Sequence, residues 1–215
     1  MRSIGTVIDF KDVAEKVDDC DIVEEFSLNK EQKDAIKGLE DFIPVVLYTK
    51  IHQIESGVLK GNEYEDGKII ECAKDRRIIE LCNEYDKIVI VVRYLDLIDK
   101  YKEIIKDKKV FIIKGGQKES AVEVSARAEK EDKAVLIVQG DTVMGYSLKS
   151  FDVTVFASLS HSFINYDQCR YRSKATDKKT PNTYIHLLTT GSSVDKGVYD
   201  SVKAKQDFDA GLFNY

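Results

Sequence analysis

Short β-branched runs alternate with helical text through the second half of the chain, and few folds satisfy that alternation. KIVIVVR (87–93), VFIIKGG (110–116), AVLIV (134–138), VTVFAS (153–158) and TYIHLL (183–188) are near-continuous apolar runs. Such runs lack the in–out alternation of a sheet with one wet face, so they predict strands covered on both sides. Helical spacing fills the gaps at 95–106, 118–130, 162–174 and 193–209. Strands separated by helices at this interval predict a parallel sheet with right-handed crossovers and helices on both faces. Five such strands are expected from these runs.

The first 86 residues have a different texture. DIVEEFSL (21–28) is a strand candidate, and Asn29 is placed to cap a helix that starts at Lys30. Ile36, Leu39, Phe42, Ile43, Val46 and Leu47 keep helical spacing over 30–56, with Pro44 as the break. A turn-rich insert covers 55–68, and a second helix is expected over 69–85 with Ile70, Ala73, Ile78 and Leu81 facing inward. This divides the chain into a mainly helical lead-in (1–86) and an α/β core (87–215).

At 215 residues the chain has room for one α/β domain with an extension. A net charge of −5 excludes a generally basic nucleic-acid binder. The charge is uneven, however. Arg170, Arg172, Lys174, Lys178 and Lys179 crowd one segment against Asp177, while the first 25 residues lean acidic. A local basic patch still attracts phosphate, because fields act over about 10 Å at ordinary salt. Cys20, Cys72, Cys82 and Cys169 have no CxxC spacing and no neighbouring His, which argues for reduced thiols rather than zinc or a disulfide framework. With no signal peptide and no long apolar span, a cytoplasmic, nucleoid or nuclear protein is expected, neither secreted nor membrane-bound.

In open parallel sheets, ligands bind beyond the carboxyl ends of the strands. Three loops are expected there: Lys114-Gly115-Gly116, the Gln139–Leu148 loop around Gly145, and Ser158–Ser162. Glycine permits close backbone approach or positive φ; a tight strand-to-helix turn is the alternative reading. Gln168, Arg170 and Arg172 follow on a helix, where guanidinium groups suit bidentate phosphate recognition; a solvated basic face is the alternative. The glycine loop and the arginine helix are expected on the same sheet edge.

Several catalytic signatures are absent from the sequence. It contains no GxxxxGK[ST] phosphate loop, no acidic pair closing an apolar strand, no GxSxG and no HExxH. Ser160 and His161 are neighbours and do not make a dyad. His52 and His186 are expected to be packed or at the surface, and Cys169 to be a buried, inert thiol.

Taken in order, these pieces resemble the C-terminal RecA-like lobe of Swi/Snf-like superfamily-two helicases. The resemblance runs over roughly residues 22–208. EQKDAI…TKIHQIESG (31–57) is similar to that family's helical lead-in, and KIVIVVRYLDLIDKYKEII (87–105) to its motif IV strand and helix. IIKGGQKESA (112–121) is similar to the next strand and turn. VMGYSLKSFDVTVF (143–156) resembles motif V, with Gly145, Ser147 and Leu148 on the "G-h-N-L" positions and Ser147 where Asn or Asp is usual. YDQCRYR (166–172) resembles motif VI, with Gln168 and Arg172 on its conserved positions. HLLTTGSSVDKGVYDSVKAK (186–205) resembles the closing segment.

The resemblance implies a RecA-like fold and half of a motor. In such motors ATP and Mg2+ are gripped by an N-terminal lobe, and the second lobe adds arginines and part of the DNA track. It implies roles for Arg172, with Arg170 as a further candidate, toward ATP. Gln168 would lie at the same site, and Gly145, Ser147 and Leu148 toward nucleotide or DNA. Lys114, Gly115 and Gly116 become candidates for the DNA backbone. Neither ATP nor Mg2+ is expected to bind this chain without its N-terminal lobe, the isolated lobe should not hydrolyse ATP, and no metal ligands of its own are expected. Duplex DNA should bind weakly, through backbone contacts that salt weakens. The family's second motif VI arginine falls at Ala175, and its following Gly-Gln is missing. That departure fits a second class of function, a helicase-like scaffold or interaction module without hydrolysis. An unrelated doubly wound enzyme, such as a small-molecule transferase, would need a glycine turn after the 87–93 strand, where Arg93-Tyr94-Leu95 stands.

Overall fold

The computed structural model describes residues 19–39, 43–61, 67–142, 145–174 and 181–209. Six parallel strands form the main sheet: β1 (Cys20–Phe26), β4 (Lys87–Val92), β5 (Lys109–Ile113), β6 (Ala134–Gln139), β7 (Val153–Phe156) and β8 (Thr183–Thr189). They lie in the order β1-β8-β7-β4-β6-β5. A separate two-stranded hairpin pairs β2 (Val58–Leu59) with β3 (Lys68–Ile69).

All five apolar runs are strands of this sheet, and the strand candidate near residue 21 makes a sixth. β1 pairs with β8 in parallel from Cys20 opposite Thr183 to Phe26 opposite Thr189. The sheet therefore draws on residues from both sides of position 87. β1 lacks the apolar run of the others because it is an edge strand, with Ile22 and Val23 37% and 41% exposed.

The buried strands explain why the apolar runs are unbroken. In β4, Val89 and Val91 point to one face and Ile88, Ile90 and Val92 to the other, and both faces are covered. One face packs under α5 (Ala121–Glu129), α6 (Phe163–Arg172) and α7 (Val194–Lys203), using Val124, Tyr166, Cys169, Val198 and Val202. The other packs under α3 (Ala73–Glu84) and α4 (Leu95–Ile104), using Ile78, Leu81, Leu97, Ile98 and Tyr101. Each of these buried aliphatic side chains contributes about 1.5–3 kcal/mol of burial free energy.

Helix boundaries follow local chemistry. Asn29 caps α1 (Lys30–Lys37): its Oδ1 accepts the Gln32 N–H at 2.8 Å, and Gln32 Oε1 accepts the Asn29 N–H at 3.1 Å. The amide of Gln32 also donates to the Ile54 carbonyl at 2.8 Å, tying α1 to α2 (Pro44–Glu55). Pro44 opens α2 at its first turn, where a missing N–H costs nothing. The helix expected over 69–85 starts later, at Ala73. Cys72 is extended and its N–H donates to Asp75 Oδ2 at 2.8 Å, closing a cap. Ile70 is buried, but it lies before the helix, and Ala73 is exposed. The apolar spacing across 70–81 joins a strand end to a helix face, and the two together mimic one helix.

Candidate functional site

The residues singled out above occupy both edges of the sheet rather than one. Lys114, Gly115 and Gly116 follow the carboxyl end of β5. There the Gly115 N–H donates to Gln139 Oε1 and the Lys114 N–H to Gln117 Oε1, both at 3.0 Å. Gly116 has φ +73, a conformation that side chains disfavour.

The loop carrying Gly145, Ser147 and Leu148 begins at that same edge, where the Gly140 N–H donates to the Val92 carbonyl at 2.8 Å. It then descends the full height of the sheet. The Asp152 N–H donates to the carbonyl of Lys87, the first residue of β4, at 2.9 Å. Tyr146, Leu148 and Phe151 anchor the descent in the core, and exposed Gly145 turns it at φ +86. Helix α6 runs the same way: ten residues at about 1.5 Å rise carry its C-terminal arginines to the amino edge. The expected common edge at the carboxyl ends is thus corrected, because both loop and helix cross the sheet before reaching the residues of interest.

At the amino edge the two elements do meet. The Leu148 N–H donates to the Arg172 carbonyl at 3.0 Å, and Ser125 Oγ donates to the Ser147 carbonyl at 2.9 Å. Gln168 sits one turn before Arg172 on the same helical face, and both side chains are half-exposed. Ala175 lies outside the described residues, as do Val143, Met144, Lys178 and Lys179.

Arg170 is engaged within the fold. Its guanidinium pairs with Asp21 and, at 3.2 Å, with Asp19; it donates to the Tyr166 hydroxyl at 3.1 Å. It also lies over the Tyr184 ring, 4.0 Å from the centroid. Lys174 pairs with Asp19 at 3.2 Å and Lys203 with Asp21 at 3.0 Å. Burial alone would raise the Asp19 and Asp21 carboxyls, but hydrogen bonds from Asn182 and Lys174 to Asp19, and from Arg170 and Lys203 to Asp21, with the nearby cations, outweigh it and hold both below the usual range. The acidic start of β1 thus meets the basic ends of α6 and α7. Part of the basic segment seen in the sequence is spent on this internal pairing.

The carboxyl edge holds the groups that the sequence concealed. β4 leads into α4 on one face and β7 into α6 on the other, so the crevice between them is a topological switch point. The last turn of α2 fills it. His52 is fully buried: Nε2 donates to Asp195 Oδ1 at 3.0 Å, which leaves Nδ1 to accept from the Tyr94 hydroxyl at 2.9 Å and from His161 Nε2 at 3.2 Å. The other oxygen of Asp195 accepts from Lys74 Nζ and, at 2.8 Å, from Thr189 Oγ1. Glu55 accepts the N–H groups of Val194 and Asp195 at 3.1 and 2.9 Å, capping α7.

Burial and neighbouring charges shift Glu55, Asp195 and the histidines of this cluster from their ordinary values. Burial and the adjacent Asp195 carboxylate push Glu55 up to about 8. Burial would also raise Asp195, but Lys74 and the His52 hydrogen bond hold it well below the carboxylate range. Burial, with His52 and Arg93 nearby, drives His161 down to about 2. His52, Glu55, Lys74 and Asp195 are at most 2% exposed, so the cluster joins α2, α3, α7 and β8 and offers no open ground for a ligand. Its one sequence signal is Asp195 in the first turn of a helix, behind the Ser193 cap.

His186 is buried against Phe156, with ring centroids 5.0 Å apart, and shares a 3.0 Å hydrogen bond with Tyr166. Cys169 is buried, and burial pushes its thiol up to about 12. Among the described residues no helix is long and apolar enough to cross a membrane.

No protein-family model matches the chain. No curated protein is similar to it in sequence. Its architecture does have solved counterparts. A crystal structure of the C-terminal part of the Fun30 ATPase domain is similar with a TM-score of 0.66, over 85% of this chain and 88% of that one, at 10% identity. The chain therefore has a RecA-like α/β fold similar to that of the C-terminal part of the Fun30 ATPase domain.

Proposed function

We propose that the chain is the second lobe of a two-lobed, ATP-driven motor acting on nucleic acid. The observation that carries this reading is the Leu148 N–H bond to the Arg172 carbonyl, which joins the motif V-like loop to the motif VI-like helix at one edge. Ser147 precedes that bond on the loop and Gln168 lies one turn before Arg172 on the helix, all three partly exposed, so residues bearing a hydroxyl, an amide and a guanidinium gather in a patch at the junction. Such a patch suits the γ-phosphate of an ATP whose phosphates and Mg2+ are held by a separate N-terminal lobe. The absence of a phosphate-loop sequence here supports that division of labour. Duplex DNA would touch the opposite edge, where Lys114 offers a cation and Gly115 and Gly116 let a phosphate approach the backbone without bases being read.

Alone, the chain should turn over no ATP. Turnover by the purified chain that vanishes in Arg172→Ala would refute the two-lobe assignment. A titration of labelled duplex DNA at rising salt tests the second contact: affinity should fall steeply with salt, and binding that ignores salt removes the backbone assignment.

A second reading is favoured by the internal commitment of Arg170 to Asp19 and Asp21, by Ser147 and by Ala175. It holds that the lobe is a scaffold for nucleic acid or protein and has lost hydrolysis. ATPase assays on a longer chain carrying an N-terminal lobe separate the two. Arg172-dependent hydrolysis supports the motor, and none supports the scaffold.

A further inference from the structure

Residues 205–209 fold back over the carboxyl edge. Lys205 takes φ +62, a left-handed conformation that reverses the chain just past α7. The Gln206 N–H then donates to the Ser201 carbonyl at 2.9 Å. Asp207 Oδ1 accepts the Phe163 N–H at 2.7 Å, and the Phe208 N–H donates to the His161 carbonyl at 2.8 Å. The Phe208 ring meets the His161 ring edge-on, 5.1 Å between centroids. The segment is laid across residues 161–163, beside the β4–β7 crevice, without joining a strand or helix. A segment held this way opens at far lower free energy than the core beneath it.

What it covers matters under the proposed function. Asp207 places a carboxylate at the edge assigned to nucleic-acid phosphates, on the N–H of Phe163 that opens α6. Across the crevice, half-buried Arg93 lies 5.8 Å from the Tyr94 ring centroid and has no carboxylate partner among the described residues. The closed tail thus sets a carboxylate on the side of the crevice facing away from β4, on the N–H of Phe163, while Arg93 follows β4 on the other side.

We propose that residues 205–209 are an autoinhibitory strap that competes with nucleic-acid phosphates for the carboxyl edge beside Arg93 and His161. The proposal rests on the nucleic-acid role assigned to that edge. Opening frees the edge, and binding of a phosphate backbone favours the open form. The apparent Kd is the intrinsic Kd divided by the fraction of open molecules, so a strap open about a tenth of the time weakens binding about tenfold.

The test is a fluorescence-anisotropy titration of labelled duplex DNA with the full chain and three variants. Phe208→Ala loosens the strap without changing charge, and a chain ending at Gln206 removes it. Asp132→Asn removes one charge near the amino end of β6, far from the strap. Phe208→Ala and the shortened chain should bind roughly 3- to 10-fold more tightly, with Asp132→Asn unchanged. DNA should also speed amide exchange at Phe163 and Phe208 in the unaltered chain. Binding with no gain in either strap variant overturns the strap alone. An equal gain in Asp132→Asn overturns it as a general charge effect. No binding by any of the four proteins removes the nucleic-acid reading, and the strap with it.

Discussion

Replacing Lys74 with Met is the sharpest test of how the edge of this fold is held together. Lys74 is 1% exposed, and its ammonium meets Asp195, which is equally buried. Methionine keeps the length of the stem but removes the charge. Asp195 then keeps only the His52 N–H at 3.0 Å and the Thr189 hydroxyl at 2.8 Å. Breaking a buried pair by removing one partner costs about 3–5 kcal/mol, because the survivor stays desolvated. For a domain of this size that corresponds to roughly 6–20 °C in Tm.

The assay is urea unfolding followed by circular dichroism, with the midpoint read at pH 7 and again at acid pH. The sign follows from Asp195, whose carboxyl is depressed in the folded protein. Its stabilisation is present above the unfolded value and lost as pH falls through the folded one. Without Lys74 that depression shrinks, so the deficit of the variant should be largest near neutrality and smaller in acid. A double-mutant cycle with Asp195→Asn should return a coupling of at least ~1 kcal/mol. A Lys74→Met loss under ~1 kcal/mol with no pH dependence would refute the claim that a desolvated pair rivets α3 to α7.

Three further outcomes are expected. All three histidines of the chain are depressed by burial, His161 to about 2, His186 to about 4 and His52 below its usual value. The unfolded chain therefore gains protons first on acidification, and stability should fall from pH 6.5 downward by up to ~1.4 kcal/mol per pH unit for each group. Flat urea midpoints between pH 7 and 5 would contradict this. Arg170→Ala should cost about 1–2 kcal/mol, because Asp19 and Asp21 keep Lys174 and Lys203 while the contact with the Tyr184 ring is lost, and should raise amide exchange in β1 before the central strands; Arg170→Lys should recover only part, since lysine lacks the planar fork. Asn29→Ala should cost about 1 kcal/mol through loss of the α1 cap, measured by urea midpoint.

Local chemistry was legible wherever neighbours in sequence settled it. The Asn29 cap and the Pro44 break needed only adjacent residues, and the doubly buried strands announced themselves in unbroken β-branched text. Gly145 and Gly116 were legible as positions that need glycine, and both take positive φ. The neighbourhood of the candidate residues was less legible. Gln168, Arg172 and Leu148 do converge, but at the amino edge. That placement depends on a loop and a helix that each cross the sheet, a distance that spacing along the chain does not express.

The amino-acid sequence by itself determined the class of fold: period and β-branching set which segments become strands and helices, and a parallel sheet follows from their alternation. Tertiary structure decided the order of the strands, the entry of β1 beside β8, and the commitment of Arg170. It also decided the buried cluster at the crevice, where His52 and Asp195 meet across 143 positions of sequence. The physical reason is range. Propensity and capping act over a turn or two, whereas a desolvated charge accepts whatever partner packing delivers, and only the folded chain delivers it.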